Sequence, residues 1–328
     1  MALSPLLLRR WELFSHFSDP QLEHLAEHVE RLRFDAGVAV LKEGEPSLGA
    51  YLIESGEVLI ERNTPYGRFE LARLGPGDLF GETSFVDGHA RSGNATATAE
   101  TALLTLQPDA LAAALEDDAK LKLSLYWAFW KSLSQKLRAT NDKLTRFFSS
   151  SGSPVATPVA VGAAAAGDFR VDIASKRRLF QEQKLSNLEI NFLTTLSKEK
   201  KLAPNQVLFR EGEPGDSMYV VLEGRIMISK YIPGAGEEAL AFLERGDYFG
   251  EMALIDHQPR SADAKAHEQE AVVLAISREV LEGLLDIQKI SSLNLLKILC
   301  NLVASRLREI DDKIIGWFIL AGGSNGGV

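Results

Sequence analysis

The sequence predicts a mainly β chain with flanking helices, organised as two copies of a β-sandwich or barrel in tandem. Three observations lead there: an internal repeat, short strands punctuated by glycine, and a long amphipathic helical pattern closing each copy. The 328 residues suffice for two domains with separate cores, and 45% apolar with 25% charged residues is an ordinary globular composition. A single cysteine, Cys300, excludes an intrachain disulfide, a CxxC pair and a cysteine-rich zinc site. The formal charge of −9 argues against a general nucleic-acid or anionic-membrane binder, which needs a positive face.

The repeat is read from matched glycines. Glu43-Gly44-Glu45-Pro46 recurs as Glu211-Gly212-Glu213-Pro214, and Gly77-Asp78-Leu79-Phe80-Gly81-Glu82 as Gly246-Asp247-Tyr248-Phe249-Gly250-Glu251. The offset is 168 or 169 throughout, too long for a solenoid unit and right for a duplicated domain. Residues 149–167 hold Ser, Gly, Pro, Ala, Val and Thr without charge or aromatic ring, which suits a flexible linker. The expected domains are therefore 5–148 and 168–320, with a disordered tail at 321–328.

Each copy opens on a helical pattern with a capping box, Ser18 with Gln21 and Ser186 with Glu189. Strands follow at 38–41, 51–53, 58–61, 69–74, 95–98 and 102–106, and again at 207–209, 219–222, 226–230, 239–243, 262–265 and 271–276. Long helices are expected at about 108–147 and 277–319, with Pro108 in a first turn.

Between the middle strands each copy inserts one segment with the residues for chemistry. In the second copy it runs from Phe249 to Ala262, in the first from Phe80 to Gly93. Gly81 and Gly250 open a short helical turn and let a ligand approach the backbone, whose free N–H groups attract an anion. Ten residues on, Arg91 and Arg260 can return to the same spot and pair with phosphate oxygens. A carboxylate beside the glycine, Glu82 or Glu251, repels phosphate but accepts a hydrogen bond from a sugar hydroxyl. Anion donors with one hydroxyl acceptor describe a nucleotide site.

These residues resemble the phosphate-binding cassette of the cyclic-nucleotide-binding domains of the cyclic-AMP receptor protein and of protein kinase A regulatory subunits. The resemblance spans both copies and implies eight-stranded jelly-roll β-barrels. It implies that Glu251 binds the ribose 2′-hydroxyl, and that Arg260 with the backbone of Gly250, Met252, Ala253, Ser261 and Ala262 binds the cyclic phosphate. The matching positions in the first copy are Gly81, Glu82, Thr83, Ser84, Arg91 and Ser92. The second copy follows the family pattern more closely, since Thr83-Ser84 and Gly93 replace Met252-Ala253 and Ala262. The ligand it implies is cAMP, with cGMP and cyclic di-GMP open.

The late helices carry apolar residues at alternating steps of three and four, from Leu123 to Phe147 and from Leu293 to Trp317. That heptad pattern predicts helix pairing, within one chain or, more simply, in a homodimer. Thr140-Asn141 resembles a pair that reaches the adenine in the receptor protein; Ile310 and Asp311 stand there in the second copy, and Trp317 or Phe318 is a candidate aromatic lid, with plain packing of residues 314–320 the favoured alternative. His89 and His257 are expected to face solvent, and no metal site is expected. The chain lacks a nucleophile–base arrangement, a P-loop, and the inhibitor motif Arg-Arg-x-Ala/Ser. Ending about ten residues after Trp317, it is expected to lack a helix-turn-helix. With no signal peptide and no run long enough to cross a bilayer, the expectation is a cytoplasmic, non-catalytic sensor acting on an unidentified protein effector, without nucleic acid as partner. A structural adaptor with vestigial pockets is the alternative.

Overall fold

Alternating apolar side chains and tight glycine turns fold each repeat into two antiparallel sheets. The computed structural model describes residues 4–46, 49–149, 170–232, 236–285 and 293–323. It divides into two compact units. One holds the residues up to Thr140 together with the chain from Cys300 on, the other Asn141 to Leu299. The linker expected at 149–167 lies outside the described residues, apart from Ser149.

The first unit begins with α1 (Pro5–Arg9), a 3-10 turn (Glu12–Phe14) and α2 (Asp19–Glu27). The strands are β1 (Glu30–Phe34), β2 (Ala39–Leu41), β3 (Ala50–Ser55), β4 (Val58–Thr64), β5 (Gly67–Leu74) and β6 (Leu79–Phe80); after α3 (Glu82–Asp87) come β7 (Asn94–Ala97) and β8 (Thr101–Leu106). They form sheets ordered β1-β8-β3-β6 and β2-β7-β4-β5, a jelly roll of two facing sheets rather than a closed barrel. Leu41, Tyr51, Ile53, Val58, Phe80, Ala95 and Leu103, from both sheets, form the core between them.

The second unit repeats this plan. It has α6 (Ile173–Glu182), α7 (Asn187–Leu196), β9 (Lys198–Leu202), β10 (Val207–Phe209), β11 (Ser217–Glu223), β12 (Ile226–Ile232), β13 (Gly236–Leu243), β14 (Tyr248–Phe249), α8 (Met252–Ile255), β15 (Asp263–Ala266) and β16 (Ala271–Ser277). Its sheets are ordered β14-β11-β16-β9 and β10-β15-β12-β13. The duplication extends to irregularities: β4–β5 and β12–β13 each carry a bulge, after Ile60 and after Ile228. Both capping residues stand where expected. The Ser18 N–H donates to Gln21 Oε1 at 2.8 Å and the Ser186 N–H to Glu189 Oε2 at 2.7 Å.

The late helices depart from the expected single spans. The first divides into α4 (Pro108–Asp117) and α5 (Ala119–Ser149). Asp118 leaves helical geometry, and its Oδ1 accepts the N–H groups of Lys120 and Leu121 at 2.9 Å each, so it caps a new helix. The second yields α9 (Arg278–Leu284) and α10 (Leu293–Leu320), with 286–292 outside the described residues. From Cys300 on, α10 belongs to the first unit: the Cys300 thiol donates to the Tyr126 carbonyl of α5 at 3.2 Å. Gly322 and Gly323, both left-handed, end α10 by donating to Ile319 and Phe318. Thus 321–323 of the expected tail form a turn, and 324–328 lie outside the described residues.

Candidate functional site

The first cassette is set by Gly81, whose φ of 79° ends β6 and starts α3. A Cβ there would stand 2.6 Å from Arg91 Nη1 and 2.8 Å from the Gly49 carbonyl, so only glycine fits. Arg91 is buried and donates to the carbonyls of Gly81 (2.8 Å) and Gly49 (2.5 Å). Burial pushes its guanidinium below the ordinary arginine value, against the raising effects of Tyr51, Glu82 and Glu45, and nearby Arg308 pushes it the same way as burial. A buried cation in that balance favours an anion beside it.

Beside the arginine, Glu82 is fully buried, at 0% exposure. Its Oε1 accepts from Ser132 Oγ at 2.9 Å and from the Lys136 ammonium, both on α5. Its Oε2 is buried without a hydrogen-bond partner. A cavity of about 360 Å³ opens next to this cluster. Gly81, Thr83, Ser84, Arg91 and Ser92 line its polar end, and Leu41, Ile60, Leu71 and Leu74 line its apolar wall. Ser132, Lys136 and Thr140 of α5 and Leu307 and Asp311 of α10 line the helical side. Its size and mixed lining suit one small ligand.

Arg308 of α10 clasps this cassette. Its guanidinium bonds both carboxylate oxygens of Asp87 at 2.8 and 3.2 Å, the Ala90 carbonyl at 3.1 Å and Ser84 Oγ at 3.4 Å. Ser132, Lys136 and Arg308 were not anticipated from the sequence. The one local signal was Ser132 and Lys136 as an i, i+4 polar pair on the face of α5.

The second cassette repeats the geometry around Arg260. Gly250 has φ 75°, and a Cβ would lie 2.7 Å from Arg260 Nη1. The buried guanidinium donates to the carbonyls of Gly250 (2.6 Å) and Ser217 (2.7 Å) and lies 4.2 Å from the Phe209 ring centroid and 5.7 Å from that of Tyr219. Burial again lowers its pKa, opposed by Tyr219, Asp216, Glu251 and Glu213. Glu251, Met252, Ala253 and Ala262 are buried, and Ser261 Oγ donates to Met252 Sδ at 3.7 Å. Where Phe209 stacks on the arginine, the first copy has Leu41, which lines the open cavity.

The model of the cyclic nucleotide-binding domain family matches residues 31–118 and 199–288, each span enclosing one cassette. The chain belongs to the cyclic nucleotide-binding domain family. It is 28% identical over 272 residues to a cGMP-dependent protein kinase of Eimeria tenella, covering 83% of this chain and 22% of the kinase. It is 32% identical over 139 residues to a CRP-like cAMP-activated global transcriptional regulator of Mycobacterium tuberculosis, covering 42% of this chain and 60% of the regulator. A solved regulatory domain of Toxoplasma gondii PKA with cAMP aligns at 22% identity over 89% of this chain and 92% of that one, with a TM-score of 0.33. The chain thus spans about a fifth to three fifths of the curated relatives' own length.

Within the first cyclic nucleotide-binding domain, Thr140 and Asp311 line one cavity although they come from different repeats. Asn141 is buried in the other compact unit and does not line it. Trp317 is half-exposed and also stands off the cavity; the aromatic on that face is Phe318, 4.8 Å from Phe69. The phase of α10 explains this, since Leu307, Asp311, Ile314 and Phe318 follow steps of four, three and four, and 317 falls off the stripe. His89 is 76% exposed near Asp87, and exposed His257 meets the Arg278 guanidinium at 2.8 Å.

Proposed function

We propose that the protein is a non-catalytic cyclic-nucleotide sensor whose first domain takes a cyclic mononucleotide, cAMP foremost, into the 360 Å³ cavity. The buried, doubly anchored Arg91 at the polar end of that cavity carries the proposal, because it supplies a positive charge already removed from water. Arg91, with the backbone of Gly81, Thr83, Ser84 and Ser92, binds the cyclic phosphate; Thr140 and Asp311 meet the base. Arg260, with Gly250, Glu251, Met252, Ala253, Ser261 and Ala262, forms the corresponding second site.

Transmission follows from who holds Glu82. A ribose 2′-hydroxyl donating to the unpartnered Oε2 turns the Glu82 carboxylate and draws its Oε1 away from Lys136 and Ser132, which loosens α5 from the cassette and biases the helices towards a second arrangement. Arg308 passes the cassette's movement to α10, and a protein effector reads the helices. Pairing of the long helices is proposed within one chain, where Cys300 already meets Tyr126. Leu133, Leu137, Val303 and Leu307, which carry the heptad pattern, are buried within the chain, so a homodimer through these side chains would have to expose them first. Among the described residues no helix is long and apolar enough to cross a membrane, and a cytoplasmic setting is proposed with it.

Calorimetric titration of the whole chain with cAMP, cGMP and cyclic di-GMP tests this reading. Saturable binding of a mononucleotide, weakened about 10²–10⁴-fold in Arg91→Ala by the loss of a buried counter-charge, supports it. Tighter binding of cyclic di-GMP reassigns the ligand, and no binding of any favours a structural adaptor.

A further inference from the structure

Helix α2 carries a cluster that the nucleotide site does not use. Residues 24–28 read His-Leu-Ala-Glu-His. We propose that His24, Glu27 and His28 bind a divalent transition-metal ion of the zinc class.

The helix supplies the convergence. Positions i, i+3 and i+4 share one face, and the ligand atoms of the three side chains all lie within 4.8 Å of one another. Zinc held at about 2.0–2.2 Å from each ligand needs those atoms roughly 3.3–3.5 Å apart. Rotation of His24 and of the exposed Glu27 carboxylate towards His28, whose ring stays on its carbonyl bond, would close that gap. Two imidazoles, a carboxylate and a water complete a four-coordinate set with one exchangeable position.

A second observation concerns the proton on His28. Its Nδ1–H donates to the His24 carbonyl at 2.9 Å. A carbonyl only accepts, so Nδ1 carries the proton and Nε2 keeps its lone pair for a ligand. Metal-bound histidines are commonly held in that way, with the distal nitrogen donating to a carbonyl or carboxylate. The rings stand 5.2 Å apart, edge to face, and neither is buried in the core.

The local field favours a cation as well. Residues 19–30 contain Asp19, which is paired with Arg9, together with Glu23, Glu27 and Glu30, and no Lys or Arg. His28 caps the C-terminal end of α2, where the helix dipole is negative. A bound ion would tie the last turn of α2 together, and α2 reaches α5 through the Gln21 Nε2 to Ser124 Oγ bond of 3.1 Å.

The test uses the whole chain with zinc chloride in chelator-free buffer. Long-range ¹H–¹⁵N spectra of the six histidines should show the His24 and His28 rings shifting together at one equivalent, with His16, His89, His257 and His267 unmoved. Calorimetry should give one ion per chain, with affinity lowered at least about tenfold in His28→Ala and less in the exposed-site variant Glu27→Gln. Silent His24 and His28 rings at ten equivalents would overturn the assignment. So would shifts confined to other histidines, or unchanged binding in His28→Ala. The wild-type spectra decide the matter even where a variant folds poorly, and they are independent of whether cyclic nucleotides bind.

Discussion

Replacing Lys136 with Met keeps the length of the side chain and removes the ammonium from Glu82. The carboxylate is wholly buried and the lysine side chain is 22% exposed, so the pair is dry on one side and partly wet on the other. Removing one partner of a fully buried ion pair costs roughly 3–5 kcal/mol. Ser132 still donates at 2.9 Å and Lys136 is partly hydrated, which places the cost at about 2–3 kcal/mol. The ligand-free first domain should then melt roughly 4–12 °C lower. The ligand complex behaves oppositely, because the ribose hydroxyl no longer competes with a lysine for Glu82. Affinity for cAMP should rise about ten- to a hundredfold, since a hydrogen bond to a charged group contributes about 1.5–3 kcal/mol. Differential scanning fluorimetry with and without saturating cAMP reads both effects, with 2′-deoxy-cAMP as control. A variant that melts like the parent and shows the same ligand-induced shift would refute the reasoning. So would a gain that persists with the 2′-deoxy ligand.

Three further expectations follow from other parts of the molecule. Gly81→Ala should abolish measurable nucleotide binding, because its Cβ overlaps Arg91 Nη1, whereas Gly88→Ala, with φ 71° and nothing within 4 Å, should cost only about 1–2 kcal/mol of backbone strain and keep binding; equal behaviour in calorimetry would contradict the cassette geometry. Arg308→Ala removes a two-point bond to Asp87, whose side chain is 6% exposed, and should destabilise the first unit by about 1–3 kcal/mol in urea melts; Cys300, fully buried with its thiol pushed well up by burial, should resist Ellman's reagent in the parent and react faster in the variant. In the second unit, burial raises the Glu199 carboxyl, but the hydrogen bond from Lys176 leads the opposing effects that hold it below its ordinary value of 4.5. That stabilisation is complete above about pH 4.5 and lost as pH falls through the lower folded-state value, so acid unfolding monitored from pH 6 to 3 should start earlier in Lys176→Met and lose part of its steepness in Glu199→Gln.

Local features of the sequence were read where local chemistry decides them. The capping pairs, the hairpins and the glycine before each cassette depend on neighbours a few residues away, and each stands at or within a few residues of its expected place. The strands β1 and β9 carried no such signal: ERLRF and KEKKL are mostly exposed edge strands, so charge replaces the apolar alternation that marks a half-buried strand. The two-residue strands β6 and β14 are too short to show a period. Asp118 was passed over because helical periodicity continues on both sides of its cap. Partners distant in sequence were invisible for a different reason. Glu82 meets Lys136 across 54 residues and Asp87 meets Arg308 across 221, contacts that no window along the chain contains. The second cassette is closer to the family pattern; in the first, Leu41 stands where Phe209 lies against the second arginine, and it lines the cavity beside Arg91.

A structure of the whole chain with cAMP bound tests most directly whether the first cassette works as described. The cyclic phosphate should lie within about 2.7–3.2 Å of the Arg91 guanidinium and the 2′-hydroxyl should donate to Glu82, with the Lys136 ammonium moved off that carboxylate. A nucleotide bound elsewhere, or one seated in the cavity with Lys136 still on Glu82, would contradict it.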